Sequence, residues 1–193
     1  MKNFQKEFDL VRSLVNPISA NKRYKHTIKE LKEGDFFTLD RLTYCVEEIY
    51  TYEERSKKGK VTWSWQEMKV FCIEKGESYY LEYEEDDKLE VYFSDEKIKL
   101  RELGVKIEII KEYADEEEGY ITYRGKKYIY EDDYKAYFIK KGEEGILCKF
   151  YEFESEDGES LAVEEWPDES GTDYEVYLSH EVNANDISVI TLH

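Results

Sequence analysis

Tryptophans and carboxylates cluster on two neighbouring strand-like segments, and they are the residues of this sequence best suited to binding chemistry. An aromatic face and a carboxylate both attract an ammonium group, because the ring quadrupole and the charge act in the same direction. The cluster predicts a groove for a cationic ligand such as a polyamine, although tyrosine and tryptophan also serve simply to fill strand faces. The candidate groove residues are Trp63, Trp65, Glu67, Tyr80, Glu82 and Glu84.

Other residue types form no recognisable catalytic constellation. The sequence holds 46 acids, so a carboxylate pair at glycosidase spacing would arise by chance. The three histidines are isolated, and the three cysteines show neither CxxC spacing nor a nearby histidine, which predicts no metal site and no cofactor. The acidic segment 154–159 is predicted to be a hairpin turn, since it lacks the ligand spacing and helices of a calcium loop. A buried carboxylate of raised pKa in a deep pocket would support the alternative of an unrecognised enzyme.

The charge of the chain is strongly negative and unevenly distributed. The 193 residues carry 28 basic and 46 acidic groups, a formal net charge of −18. Residues 101–193 hold 10 of the basic and 25 of the acidic groups, and residues 150–193 contain no lysine or arginine. Such a surface repels phosphate backbones and attracts cations, so it predicts no binding to nucleic acid.

The leading functional hypothesis is therefore a non-catalytic binding or adaptor module whose acidic second half meets a basic protein partner. The alternatives are a binder of a cationic small molecule, an enzyme of unrecognised type, and mimicry of nucleic acid by the acidic half. Acid-rich segments also serve as a merely solvated face. No apolar run approaches the ~20 residues of a membrane span, and the start lacks the apolar stretch of a signal peptide. These features predict a cytoplasmic protein without membrane insertion.

The first segment, residues 1–25, is predicted to be an amphipathic helix followed by a linker. Phe4, Phe8, Val11 and Val15 recur at helical spacing on one face. The residue before a proline avoids the α conformation, so the helix should end at Asn16-Pro17. This stripe is expected to pack on the body of the protein or on a second copy, which would make a homo-oligomer.

From residue 26 onward the pattern is that of short β-strands separated by charged or Gly-containing turns, with Val105–Ile110 among the predicted strands. The pattern predicts a mainly β fold of antiparallel meanders, barrel-like or sandwich-like. In one long strand the apolar positions change parity between Trp65 and Met68. Since side chains alternate with period two, this change predicts a bulge or bend near Gln66-Glu67.

An internal repeat divides this β region. Gly76-Glu77-Ser78 recurs as Gly158-Glu159-Ser160, and each is followed by an acidic loop and a Glu-Val-Tyr-x-Ser strand, at Glu90–Ser94 and Glu175–Ser179. The repeat predicts two related β units, 26–100 and a strongly acidic 101–193. The sequence leaves open whether they pack as one domain or two.

Six short motifs follow one another over residues 28–190: a Gly-Asp turn, a Tyr-x-Val strand, a Trp-x-Glu strand, a Leu-x-x-Glu strand, a Gly-x-x-Tyr element and a closing strand. They are Gly34-Asp35, Tyr44–Val46, Trp65–Glu67, Tyr80–Glu84, Gly125–Tyr128 and Asp173–Tyr177. Their order resembles a bacterial family catalogued as domain of unknown function 4178, except that Tyr80 stands where that family usually has tryptophan. The resemblance implies an accessory protein and supplies no catalytic residue, since the family has no assigned activity.

Overall fold

The structure is a computed structural model that describes residues 4–14, 16–168 and 171–193. It confirms the predicted fold class, since the chain is mainly β and the paired strands run antiparallel. Helices α1 and α2 span Phe4–Ser13 and Ile107–Glu116, and short 3-10 turns span Ala20–Lys25, Ile28–Glu30, Leu100–Leu103 and Ala184–Asp186. The strands are β1 Phe36–Leu39, β2 Leu42–Arg55, β3 Val61–Cys72, β4 Glu77–Glu85, β5 Leu89–Ile98, β6 Tyr120–Tyr123, β7 Lys126–Lys140, β8 Ile146–Ser155, β9 Glu159–Asp168, β10 Gly171–Glu181 and β11 Ser188–Val189.

The chain divides into two compact units that alternate along the sequence. Unit 1 comprises Met1–Tyr50, Gln66–Val91 and Val182–His193, and unit 2 comprises Thr51–Trp65 and Tyr92–Glu181. Each contains part of a three-strand antiparallel meander. A Gly-Glu-Ser sequence leads into the second strand of each meander, at β4 and at β9. The duplication into 26–100 and 101–193 stays a prediction.

Unit 1 follows the strand order β11-β1-β2-β3-β4-β5. The Gly34-Asp35 turn precedes β1, and the Asp35 carboxylate is completely buried there. Its Oδ2 accepts the backbone N–H of Lys32 at 2.8 Å, and its Oδ1 lies 2.8 Å from Nδ1 of His193. A buried carboxylate needs such partners, so this turn ties the start of β1 to the residues that follow β11.

Helix α1 packs on unit 1 through Leu10 and Leu14. Leu10 and Leu14 lie against a buried cluster that includes Phe36 and Ile190. Val11, which was predicted to share the buried stripe, is 53% exposed. Val15 and the side chains of Phe4 and Phe8 lie outside the described residues. The apolar spacing therefore predicted the helix correctly but assigned Val11 to the wrong face.

Unit 2 follows the order β5-β10-β9-β8-β7-β6. Helix α2 covers one side of this sheet, with Ile110 fully buried in a core of β-strand residues. The prediction of a strand at Val105–Ile110 is wrong. Ile107, Ile110 and Ala114 recur at helical spacing and pack on that core, and this tertiary packing outweighs the β-propensity of the isoleucines.

The change of buried face along β3 is confirmed. Trp65 is buried within unit 2, whereas Met68, Val70 and Cys72 are buried within unit 1. The register of β3 with β4 is continuous from Gln66 to Cys72. The parity therefore changes where the strand leaves one compact unit and enters the other, between Trp65 and Gln66.

Gly119, between α2 and β6, is a position where even a methyl group should not fit. A Cβ there would come within 2.2 Å of the Tyr113 ring, whereas at Gly142, with φ of 83°, a Cβ would meet nothing within 4 Å. We expect Gly119→Ala to lower the free energy of unfolding by about 3 kcal/mol through overpacking. Gly142→Ala, the control, should lose about 1 kcal/mol through backbone strain. Urea denaturation measures both, and an equal loss would contradict the steric argument.

Candidate functional site

The two faces of the unit 2 sheet differ in character. On β9 the buried side chains of Leu161 and Val163 join the core under α2, whereas Glu164 and Trp166 lie on the opposite face. This follows from the alternation of side chains along a strand. The face away from α2 carries carboxylates from four adjacent strands, and we call these residues the acidic face: Asp132, Glu152, Glu154, Glu164 and Glu175.

Acids on the α2 side are neutralised by lysines. Glu165 Oε2 lies 3.0 Å from Lys111 Nζ, and Asp133 Oδ2 lies 2.9 Å from Lys149 Nζ. Burial opposes ionisation of both carboxyls, but hydrogen bonds from these lysines and from neighbouring tyrosines hold their pKa values below the usual range. Two carboxylates on the α2 side of this sheet are thus each paired with a lysine.

The acidic face sets carboxyl groups directly opposite each other. Asp132 is the cross-strand partner of Glu152, and Glu164 is the cross-strand partner of Glu175. Opposed carboxyl groups add no electrostatic stability to a sheet. This arrangement makes the acidic face the strongest candidate for a functional surface.

Aromatic side chains supply hydrogen bonds to these carboxylates. The Tyr134 hydroxyl donates to Glu152 Oε1 at 2.5 Å, and the Tyr177 hydroxyl donates to Glu175 Oε2 at 2.6 Å. Trp166 Nε1 donates to Glu164 Oε2 at 2.8 Å. Glu175 also forms an ion pair with Lys97. The tyrosine and tryptophan donors are neutral, so they hold the carboxyl groups in place without adding positive charge to the face.

Glu164 is the most buried carboxyl of this face, at 7% exposure. Burial raises its pKa to about 8; the Trp166 hydrogen bond counteracts this, and the charge of Glu175 adds to it. Its cross-strand neighbour on β8 is Phe150, in an apolar cluster that also contains Cys148. Burial likewise raises the pKa of the Cys148 thiol, which makes that cysteine unreactive.

The two predicted groove tryptophans lie in unit 2. Trp65 is 6% exposed, and its ring stacks on Tyr52 with 5.0 Å between the ring centroids. Trp63 is half-buried against the same cluster, which also includes Phe150 and Trp166. Both tryptophans therefore fill an apolar core, and Trp65 has one ring face occupied by Tyr52.

The other four predicted residues lie in unit 1, half-buried on β3 and β4. The structure brings Glu67 and Glu82 together as cross-strand partners, and Tyr80 lies opposite Lys69. Glu84 follows on the same strand. The six-residue groove itself stays a prediction.

Glu152, Glu164 and Glu175 are not predicted as a group from the sequence. The signal that could have found them was the absence of lysine and arginine after Lys149, combined with the alternation of acids and apolar residues within β8 and β9. In the sequence this signal indicates an acidic second half, and only the strand pairing assigns it to one sheet face.

An open groove of about 790 Å³ lies at one end of the same sheet. Its lining comes from the start of β7, the end of β8 and the turn that follows, and most of it is exposed. The lining residues are Lys126, Lys127, Ile129, Glu131, Glu154, Ser155, Glu156 and Asp157. Glu154 belongs to the acidic face as well, so the groove and the face are continuous.

Across residues 4–14, 16–168 and 171–193, no three His, Cys, Asp or Glu side chains converge in a way that would hold a metal ion. The carboxylates of the acidic face are thus spread along the strands. In the same part of the chain, no helix has the length and apolar character needed to cross a membrane.

Fold and site together define an antiparallel β-protein with an acidic sheet face. The family model described as "Domain of unknown function (DUF4178)" matches residues 32–184, and the chain belongs to that family. The chain is also similar to a protein of Aquifex aeolicus (strain VF5) described as an uncharacterized protein, with 28% identity over 166 residues that cover 84% of each chain. No solved structure matches the chain.

The raised pKa of Glu164 makes stability depend on pH. An unfolded glutamate has a pKa near 4.3, so between that pH and about 8 the folded state binds more protons and the free energy of unfolding falls as the pH rises. Glu164→Gln keeps an acceptor for Trp166 and cannot ionise. We expect its melting temperature, relative to the wild type, to increase by on the order of 5 °C between pH 5 and pH 8.5.

The exposed Glu154→Gln is the matched control, and its difference from the wild type should not change over this range. Thermal unfolding followed by circular dichroism at both pH values gives the comparison. A Glu164→Gln difference that stays constant with pH would contradict the assignment of a neutral buried carboxyl.

Proposed function

We propose that this protein is a non-catalytic binding or adaptor module whose acidic face takes a basic protein partner. The observation that carries the proposal is the two cross-strand pairs of carboxyl groups, Asp132 with Glu152 and Glu164 with Glu175. A partner that places lysine or arginine over these pairs would interact with several carboxyl groups at once. The added positive charge would also favour the ionised form of Glu164.

The arrangement of the acidic face supports a protein surface over a metal ion as the partner. Its carboxylates are distributed over four strands, and aromatic donors hold three of them in fixed positions. Several cationic side chains on one partner could each meet a carboxylate, whereas a single ion could not. Charge complementarity of this kind raises the association rate and weakens with salt.

Neutralising the exposed acids of the face should weaken binding of a basic probe. We expect Asp132→Asn with Glu154→Gln to weaken the binding of fluorescent octalysine about fivefold at low salt, since two favourable charge contacts are lost. Fluorescence anisotropy at two salt concentrations gives the dissociation constants.

The control is Asp86→Asn with Asp87→Asn, which removes the same charge from the exposed turn between β4 and β5. This variant should bind octalysine within a factor of about two of the wild type. Equal weakening by both double variants would mean that the probe senses only net charge, and it would contradict a defined binding face.

A second candidate function is the binding of a cationic small molecule such as a polyamine at the predicted residues of unit 1. The observation that favours it is the opposition of Glu67 and Glu82 across β3 and β4, with Tyr80 on the same strand as Glu82. An ammonium group near these two carboxylates would interact with both of them and with the neighbouring Tyr80 ring.

Calorimetric titration with spermidine tests this second function. We expect binding heat that persists at moderate salt and that Glu67→Gln with Glu82→Gln removes, because the cation then loses both charges. The Asp86→Asn, Asp87→Asn variant should leave the heat unchanged. Heat that modest salt abolishes would indicate counter-ion condensation and would exclude a specific site.

The remaining expectations are part of the same proposal: the protein acts in the cytoplasm, without nucleic acid and without membrane insertion, and α1 is available for contact with a second copy. The enzyme alternative has one supporting observation, the raised pKa of Glu164. That carboxyl does not line the groove of unit 2. We therefore propose no reaction.

A further inference from the structure

The groove of unit 2 combines exposed apolar surface with unpaired charge. Ile129 is 48% exposed on its lining, and its cross-strand partner on β6, Tyr120, is 53% exposed. Adjacent large apolar side chains at this exposure, set among polar ones, are typical of an interaction surface. Both lie on the exposed side of their strands, which is also the side of Glu154, the partner of Ile129 on β8.

Some charged side chains around Ile129 and Tyr120 have interaction partners, and others have no ion-pair partner among the described residues. Lys126 forms ion pairs with Asp157 at 3.0 Å and with Glu159 at 2.9 Å, and Lys127 lies 4.2 Å from the centre of the Tyr120 ring. Glu131, Glu154 and Glu156 have no ion-pair partner among the described residues. Both lysines of the lining are thus engaged, whereas three carboxylates remain available.

We propose that this groove binds an extended basic segment of a protein partner, with one large apolar side chain seated on Ile129 and Tyr120. Lysine or arginine side chains on either side of that residue face Glu131, Glu154 and Glu156. The inference rests on the proposed function, because the groove continues the acidic face at Glu154, and it adds the sequence character of the segment. An open, mostly exposed groove suits a peptide segment, since sites for small molecules usually enclose most of their ligand.

The direct test compares two fluorescent peptides of equal charge: four lysines on each side of one leucine, and the same peptide with serine at the centre. We expect the wild-type protein to bind the leucine peptide about tenfold more tightly, because the leucine side chain is buried on the groove. Ile129→Ser should bring the two affinities within a factor of about two of each other. Anisotropy titrations at about 150 mM salt give the dissociation constants.

The matched control is Ile146→Ser, which removes a similarly exposed isoleucine of the same sheet from outside the groove. It should retain the preference for leucine. Glu131→Gln with Glu156→Gln should weaken both peptides while leaving their ratio unchanged, which keeps the test valid if Ile129→Ser unfolds.

The outcomes separate this inference from the proposed function. If the wild type binds both peptides equally and Asp132→Asn with Glu154→Gln weakens both, the acidic face stands and the groove inference fails. Loss of the preference in Ile146→Ser as well would also overturn the groove inference. If neither peptide binds at any salt concentration, the proposed function and the inference both fail.

Discussion

The pairing of β9 with β8 and β10 is the constraint on which the properties of unit 2 depend. This register buries Leu161 and Val163 under α2, and the alternation of side chains then sends Glu164 and Trp166 to the opposite face. A shift of one residue would bury Glu164 in place of Val163 and move Leu161 and Val163 to the opposite face, which would lose the burial of those two side chains under α2. The apolar core thus holds Glu164 opposite Glu175.

Stability and binding place different requirements on the two faces of this sheet. On the α2 side, lysines pair with Glu165 and Asp133. On the acidic face, neutral tyrosine and tryptophan groups donate to three carboxyl groups, of which Glu175 also pairs with Lys97. Neutral donors lower the cost of burying a carboxyl group and add no positive charge to the face. Glu164, which burial keeps largely protonated at neutral pH, would also respond to an approaching cation, since a nearby positive charge favours the ionised form.

Most strands could be predicted from the sequence, because aromatic and β-branched runs between turn residues carry a local signal. The change of buried face along β3 could also be predicted. Its apolar residues occupy odd-numbered positions before Gln66 and include the even-numbered Met68, Val70 and Cys72 after it. Two assignments failed for the same reason. Val11 and the segment Val105–Ile110 have apolar residues compatible with more than one packing, and their neighbours in the folded chain decide which one forms. The candidate site was predictable in part. The sequence shows that lysine and arginine are absent after Lys149. Which carboxyl groups then share one sheet face depends on strand pairing.

The sequence by itself determined the mainly β class, the family motifs, the excess of acidic residues and the position at which the buried face of β3 changes. Composition and periodicity are local, so these features need no knowledge of distant residues. Only the tertiary structure decided that the chain forms interleaved compact units, that Trp65 stacks within an apolar cluster, and that Glu152, Glu164 and Glu175 lie on one face with aromatic donors. These contacts join residues on separate strands. Strand register determines which residues meet, and burial of the whole core sets that register.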